Sequence, residues 1–541
     1  MALPNRRLAA AALAVCLALA VVHTWPLATD PGRLSRHDNA DTMLNEWIVA
    51  WVAHQAPRAP LQLFDANIFH PEPRSLAFSE HMTVQGLMAV PLFRVGASPV
   101  LAYNLLVLAG LALSAWAMWL VVWRWTGSWA AGAVAGSLVA FNAHTLTRLP
   151  HLQALHVEFL PLVLLALDRL LERRRTRDAV LLGVAVALQS LTSNYLMVAT
   201  VVAVAAALAV RAGEIARPAP RRTLALLLLA TGVGSLLVGP FLVPYAAAQR
   251  DQGLTRSLDE VARYSSTWRD YLSTAGRFHY AWWSHRFFEG STALFPGVCA
   301  SLLSLVALFA SAGWRDKRVR MAAAIGVAGA ALSFGPAMPG YAALYAWLPL
   351  LQGVRGAARF GFLALVAVAV LAGFGVAALR ARAGGRRWWP AAAVLLVLAV
   401  NAEALRAPLV FRPFTGIPRI YASLGGASVG TVVEFPFAMP ATIVRNATYV
   451  LNSTAHWKPL VNGYSGFVPR SYAGIAEALR GFPDDESRAR LGSLGVTHVV
   501  VHSGAYGAQA SAMLMALGSA PWLTLVASEG DIRVYRITAS S

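Results

Sequence analysis

The sequence predicts a membrane protein, all-α in its main body, with about eleven transmembrane helices and a C-terminal extracytoplasmic α/β domain. Of 541 residues, 57% are hydrophobic and only 13% charged, where a soluble chain carries about 25% charged residues. Apolar runs recur as far as residue 406, separated by short arginine clusters. Beyond Arg406 the pattern shifts to short β-branched runs broken by turn residues.

In chain order, Arg6 and Arg7 precede the first apolar run, Leu8–Val22. Ala18-Leu19-Ala20 imitates a signal-cleavage site, but the many spans that follow need an orienting first helix, and we read it as retained. Further spans are expected near 98–123, 128–143, 153–171, 177–193, 194–211, 222–247, 293–312, 318–336, 358–380 and 387–406. The stretch Met82–Val95, which contains Pro91, reads as interfacial or re-entrant. With the N-terminus cytoplasmic, Arg124, Arg173–Arg177, Arg211–Arg222, Arg315–Arg320 and Arg380–Arg387 all fall inside, as the positive-inside rule requires.

That topology leaves outside a first loop at 26–81, a histidine-rich turn near 144–152, a long loop at 249–292 and another at 337–357. The expected division is a transmembrane domain, 1–406, and an α/β domain, 407–541. In the latter, strands are expected at 430–436, 496–502, 523–527 and 532–538, and helices at 471–480, 485–494 and 506–517.

A net charge of +19 does not point to nucleic acid, because it is confined to short loop clusters. Cys16 and Cys299 lie in apolar runs and offer neither a disulfide nor a thiolate metal site. The expected spans carry few acidic residues, which disfavours an ion-coupled transporter.

The polar chemistry collects in the outer loops. In the first, Leu44, Trp47, Ile48 and Trp51 recur at helical spacing, which predicts an interfacial helix with Asp41 at its start and Asp38 just before it. Either Asp could simply cap that helix. Glu80 follows in the same loop. Arg148 and His151 lie in the second, Glu289 in the third, and Arg355 and Arg359, one turn apart, in the fourth. No spacing matches a zinc motif. Asn446 and Asn452 fit the glycosylation pattern.

Taken together, a carboxylate at the mouth of a membrane cavity could act as general base, while arginines and histidines hold a phosphate. A lipid-phosphate leaving group departs already ionised, so one carboxylate plus several cations suffices. A divalent ion, Mg²⁺ or Mn²⁺, could bridge Asp41 and phosphate oxygens.

The layout resembles the GT-C superfamily of membrane glycosyltransferases: a cytoplasmic N-terminus, an Asp just past helix one, interfacial helices, many spans and an outer α/β domain. Four stretches, Asp41–Trp47, Leu63–Phe69, Ala77–Glu80 and His456–Gly466, are similar to a bacterial group of GT-C-like multi-pass proteins. The resemblance places the superfamily's first-loop catalytic Asp on Asp41, or on Asp38. Neither is followed by an acid, unlike the family's acidic dyads, leaving Glu80 and Glu289 as further carboxylates.

The resemblance implies transfer of a sugar from a polyprenyl-phosphate donor to a glycan, lipid or protein acceptor, in the bacterial inner membrane. Arg148, His151, Arg355 and Arg359 would take the donor phosphate, and Trp457, Asn462 and Tyr464 the acceptor side. The alternative is a non-catalytic protein that binds or moves a lipid-linked glycan, or scaffolds an envelope complex.

Overall fold

The computed structural model describes residues 5–253, 255–290, 292–310 and 313–538. Residues 254 and 291 of the expected loop 249–292, 311 and 312 of an expected span, and 539–541 of the expected C-terminal domain lie outside the described residues. The chain divides into two compact units. One comprises Met1–Asp30, Asn104–Phe241 and Thr255–Val410, the other Pro31–Tyr103, Leu242–Leu254 and Phe411–Ser541. The segment from Phe411 onward thus shares a unit with most of the first loop, from Pro31 on.

Among the described residues, each apolar segment expected to span contains a helix. By length and composition, Arg6–His23, Pro99–Thr126, Pro220–Gln252 and Ala357–Ala383 are long and apolar enough to cross a bilayer. Asn194–Val210, Val298–Phe309 and Trp389–Ala404 are shorter apolar helices. Trp129–Ala140 has only 12 residues, begun by a Ser128 side-chain cap, and all of Ala130–Ala140 is buried. A helix buried all round needs no lipid-facing length.

Small residues let these helices meet closely. A Cβ on Gly136 would lie 2.4 Å from the Ala115 carbonyl oxygen, and one on Gly375 only 1.9 Å from that of Leu303. Around these contacts pack Met118, Val122, Val134, Leu167, Leu363 and Val370.

Several basic loop residues of this unit have partners within it. Asp168, 1% exposed, accepts from Arg211 at 2.7 Å and from Arg318 at 2.9 Å. Glu214 accepts from Arg211 at 2.9 and 2.8 Å, and Glu172 lies 2.9 Å from Lys317 and 3.2 Å from Arg318. Arg380 reaches the Gly127 carbonyl, and Arg318 lies over the Trp125 ring. Loops assigned to one membrane face by charge therefore touch one another.

The second unit contains β1 (Leu34–Ser35), β2 (Arg412–Pro413), β3 (Thr431–Phe435), β4 (Val496–His502), β5 (Leu523–Glu529) and β6 (Ile532–Ile537). β1 and β2 pair antiparallel, while the others form one sheet in the order β3-β4-β6-β5. β3 and β4 run parallel, and β5 and β6 form a hairpin turned at Gly530, whose φ of 57° suits glycine. Helices Ser471–Ala478, Asp485–Ser493 and Ala510–Ser519 belong to the same segment. Val433, Phe435, Val499, Val501 and Leu491 form its core, each such side chain contributing about 1.5–3 kcal/mol on burial. Asn446 and Asn452 are 0% and 6% exposed, so the glycosylation pattern falls on buried side chains.

Candidate functional site

In the first unit, three chain segments bring cations together. The helix Trp129–Ala140 ends at Phe141, and Asn142 then caps a single short helix, Ala143–Thr147, by accepting the Thr145 N–H at 2.9 Å. The chain turns at Leu149-Pro150, which leaves His144, Arg148 and His151 on one turn. Ser193 caps Asn194–Val210 and sets Tyr195 in its first turn. The 3₁₀ turn Ala357–Phe360, which carries Arg359, leads into Gly361–Ala383.

His144, Arg148, His151, Gln153, Tyr195 and Arg359 line one pocket, closed by apolar residues such as Leu196 and Phe362. The Arg359 guanidinium lies 3.8 Å from the Tyr195 ring centroid. No carboxylate lines the pocket, and among the described residues neither Arg148 nor Arg359 has an acidic partner. Nδ1 of His144, Nε of Arg148 and Oε1 of Gln153 are buried without a hydrogen bond. Burial, and then the charge of Arg359, bring Arg148 down to about 10, so it remains a cation at neutral pH. Burial first, then Arg148, Arg359 and His151, hold His144 well below the usual range, so it stays neutral. Two helix N-termini add positive potential. The arrangement is that of an anion site.

In the second unit, the helix Ala40–Gln55 starts as its periodicity implies, but neither Asp caps it. Asn39 does, accepting the Asp41 N–H at 2.9 Å. Asp38 is engaged in both oxygens by Arg36, at 2.9 and 3.0 Å, and this contact holds its carboxyl below the usual range. Asp38 is therefore a poor proton acceptor. Asp41 is half-buried and its Oδ1 accepts the Tyr464 hydroxyl at 2.7 Å. Further along the helix, Glu46 is 0% exposed, with Oε2 2.7 Å from His37 Nε2. Burial pushes its carboxyl up, against the pull of His37.

The four stretches that carried the family resemblance meet in this unit. Asn67 accepts the Trp47 indole N–H at 3.2 Å and donates to Ser453 and to the Lys458 carbonyl. Leu460 N–H donates to Asn67, Phe69 N–H to Asn462, and Phe467 N–H to Phe78. A Cβ on Gly463 would lie 2.4 Å from the Phe69 ring. This lacing positions Tyr464 against Asp41.

Several expected site residues stand elsewhere. Asn462 is 0% exposed, and its amide is spent on the Glu434 backbone at 2.7 and 2.9 Å, so it is a structural link rather than a substrate contact. Arg355 is outside the pocket lining, with its guanidinium 4.6 Å from the Tyr264 ring centroid. Glu80 is 8% exposed beside His81, and Glu289 is exposed on its loop. Trp457 stacks on His54 at 4.5 Å, in a groove of its own. Among the described residues, no group of three or more His, Cys, Asp or Glu could hold a metal ion. With Asp38 taken by Arg36 and Glu46 by His37, the Asp41 neighbourhood does not fit a bridging divalent cation. Tyr195, Gln153 and His144 were not marked as site residues by the sequence; only His144 and Gln153 carried a signal, their nearness to Arg148.

No family model matches the chain, and no curated protein does. Solved structures do. The mycobacterial arabinofuranosyltransferase AftD superposes with a TM-score of 0.62 at 17% identity, covering 100% of this chain and 42% of its own. This chain therefore spans less than half the length of that neighbour. The Archaeoglobus fulgidus oligosaccharyltransferase, tethered to an acceptor peptide, gives a TM-score of 0.50 at 13% identity, covering 99% of this chain and 74% of its own. At such identities the likeness is one of fold: over nearly its whole length the chain folds as these two solved transferases do.

Proposed function

We propose that the protein transfers a sugar, with inversion, from a polyprenyl-phosphate donor to an extracytoplasmic acceptor in the bacterial inner membrane. The reading places eleven spans, a cytoplasmic N-terminus and an extracytoplasmic C-terminal segment. Its single strongest support is the pocket of Arg148, Arg359, His144 and His151, which brings two arginines together and is lined by no carboxylate among the described residues. A buried cation without a counter-ion is costly, and a bound phosphate supplies the missing charge.

Arg148 and Arg359 hold the donor phosphate, and the Tyr195 ring supports the Arg359 guanidinium from below. Asp41, oriented by the Tyr464 hydroxyl, takes the proton of the acceptor hydroxyl. The acceptor oxygen bonds to the anomeric carbon as the bond from that carbon to the phosphate oxygen breaks. The lipid phosphate leaves as an anion, stabilised by the same guanidinium groups. No step is routed through a metal ion.

The test is turnover of a panel of polyprenyl-phosphate sugars by the purified protein, with donor binding measured in parallel. Asp41→Asn is expected to lower the rate on the order of 10²-fold or more with donor binding intact. Asp38→Asn is expected to leave the rate nearly unchanged. Donor binding by the wild type, with no turnover and no effect of Asp41→Asn, would replace the transferase with a carrier or scaffold of lipid-linked glycans.

A further inference from the structure

A second cationic site lies in the other unit, and the transfer reaction does not use it. The C-terminal half of the Ala40–Gln55 helix, the end of Thr83–Arg94 and the loop bearing Trp457 enclose a groove. His54, Arg58, Phe93, Arg94, Pro99 and Trp457 line it.

Three features point to one kind of ligand. Firstly, Arg58 and Arg94 are exposed, and neither has an acidic partner among the described residues. Arg58 donates to the His54 carbonyl at 2.6 Å, which fixes its stem at the helix end and leaves further N–H groups for a ligand. His54 adds no charge, since burial and the nearby Arg58 bring it down to about 4. Secondly, the floor is aromatic. The His54 ring lies 4.5 Å from Trp457, which lies 5.7 Å from Trp51, itself 6.3 Å from Trp47. Trp457 holds this place at a φ of 57°, a strained conformation for so bulky a residue.

The third feature is location. Pro99, part of the lining, is also the first residue of a 28-residue helix long and apolar enough to cross a bilayer. Arg94 is five residues earlier, so the extended chain puts it at most about 17 Å from the start of that helix. Leu87 and Val95, on and just past the same short helix, are 51% and 83% exposed. Exposed apolar residues beside Arg58, Arg94 and the half-buried Trp457 ring make an interfacial element.

We propose that this groove holds the headgroup of an anionic phospholipid at the bilayer surface. Arg58 and Arg94 take its phosphate, and Phe93, His54 and Trp457 take the glycerol and first acyl carbons. The site is independent of the transfer reaction and tethers the short helix Thr83–Arg94 to the membrane.

The test is native mass spectrometry of the delipidated full-length protein titrated with phosphatidylglycerol. Phosphatidylethanolamine, polyprenyl phosphate and inorganic phosphate are run as separate arms. Removing both charges in Arg58→Gln/Arg94→Gln is expected to weaken phosphatidylglycerol binding roughly thirty-fold, from two basic contacts at a lipid surface. Arg58→Lys/Arg94→Lys is expected to restore most of it, which rules out a folding artefact. Sugar transfer by the Gln variant in detergent is expected to stay at the wild-type rate. Unchanged phosphatidylglycerol binding in the Gln variant would overturn the proposal. So would one-for-one displacement by polyprenyl phosphate, which would make the groove a carrier site, or by millimolar inorganic phosphate, which would make it a simple anion site.

Discussion

The first unit contains two arginine clusters that differ in one respect. Around Asp168, Arg211 and Arg318 meet Asp168, Glu172 and Glu214 in a network where each cation has a carboxylate. Around Tyr195, Arg148 and Arg359 meet each other and neutral groups, and among the described residues neither has a carboxylate, while several buried polar atoms lack any partner. Both clusters are expensive to desolvate, but only the first recovers the cost within the protein. Pairing, rather than charge or burial, separates a structural cluster from one that awaits a ligand.

The largest expected effect comes from breaking the paired cluster. Asp168→Ala leaves Arg211, 2% exposed, facing only Glu214, and is expected to destabilise by about 3–5 kcal/mol. Thermal unfolding in detergent measures this directly. A loss below about 1 kcal/mol would show that the network is not carrying the helix ends.

The unpaired cluster should respond the other way. Arg148→Gln removes a half-buried charge that has no acidic partner among the described residues, so the unfolding temperature is expected to hold or rise. Donor binding is expected to weaken on the order of ten-fold or more, the value of a charge-assisted hydrogen bond. If stability fell as well, Arg148 would belong with the structural cluster. A smaller effect sharpens the same point. Tyr195→Leu takes away the ring under Arg359 and is expected to cost about 0.5–2 kcal/mol of donor binding, with Tyr195→Phe near wild type.

The smallest effect concerns Glu46, an intermediate case. One of its oxygens meets His37, and the other is buried without a partner. Burial raises its folded-state value, so the stability it contributes is fully present below the ordinary carboxylate range. That stability is lost as pH rises through the raised value. Glu46→Gln should not follow this slope. The gap in unfolding temperature, variant above wild type, is expected to widen from pH 4 to pH 7.5. A constant gap would mean that His37 fully compensates the buried charge.

How much of the site was legible follows from how far apart its parts lie in the chain. Arg148 and His151 are three residues apart on one turn, and Asp41 opens a helix whose periodicity is plain. Arg359 and Tyr195 lie on separate segments, and nothing local in the sequence brings them to Arg148. Arg355 illustrates the same limit. One helical turn from Arg359, it shares a face with it in sequence, yet it stands at a bend before the 3₁₀ turn Ala357–Phe360, with a non-helical Gly356 between, and its guanidinium lies over Tyr264 instead. Asn462 looked available because polar residues in a loop motif often are. The structure spends its amide on the backbone of β3.

The sequence by itself determined the helices, because an apolar segment of such length has to satisfy its backbone hydrogen bonds internally. It determined the strands of the C-terminal segment for a similar reason, since β-branched runs between turn residues favour a pleated, half-buried surface. It also determined which arginines cluster along the chain. Tertiary structure alone decided which of those clusters meet carboxylates and which do not. Charge compensation is a contact between side chains far apart in sequence, and no local pattern encodes it.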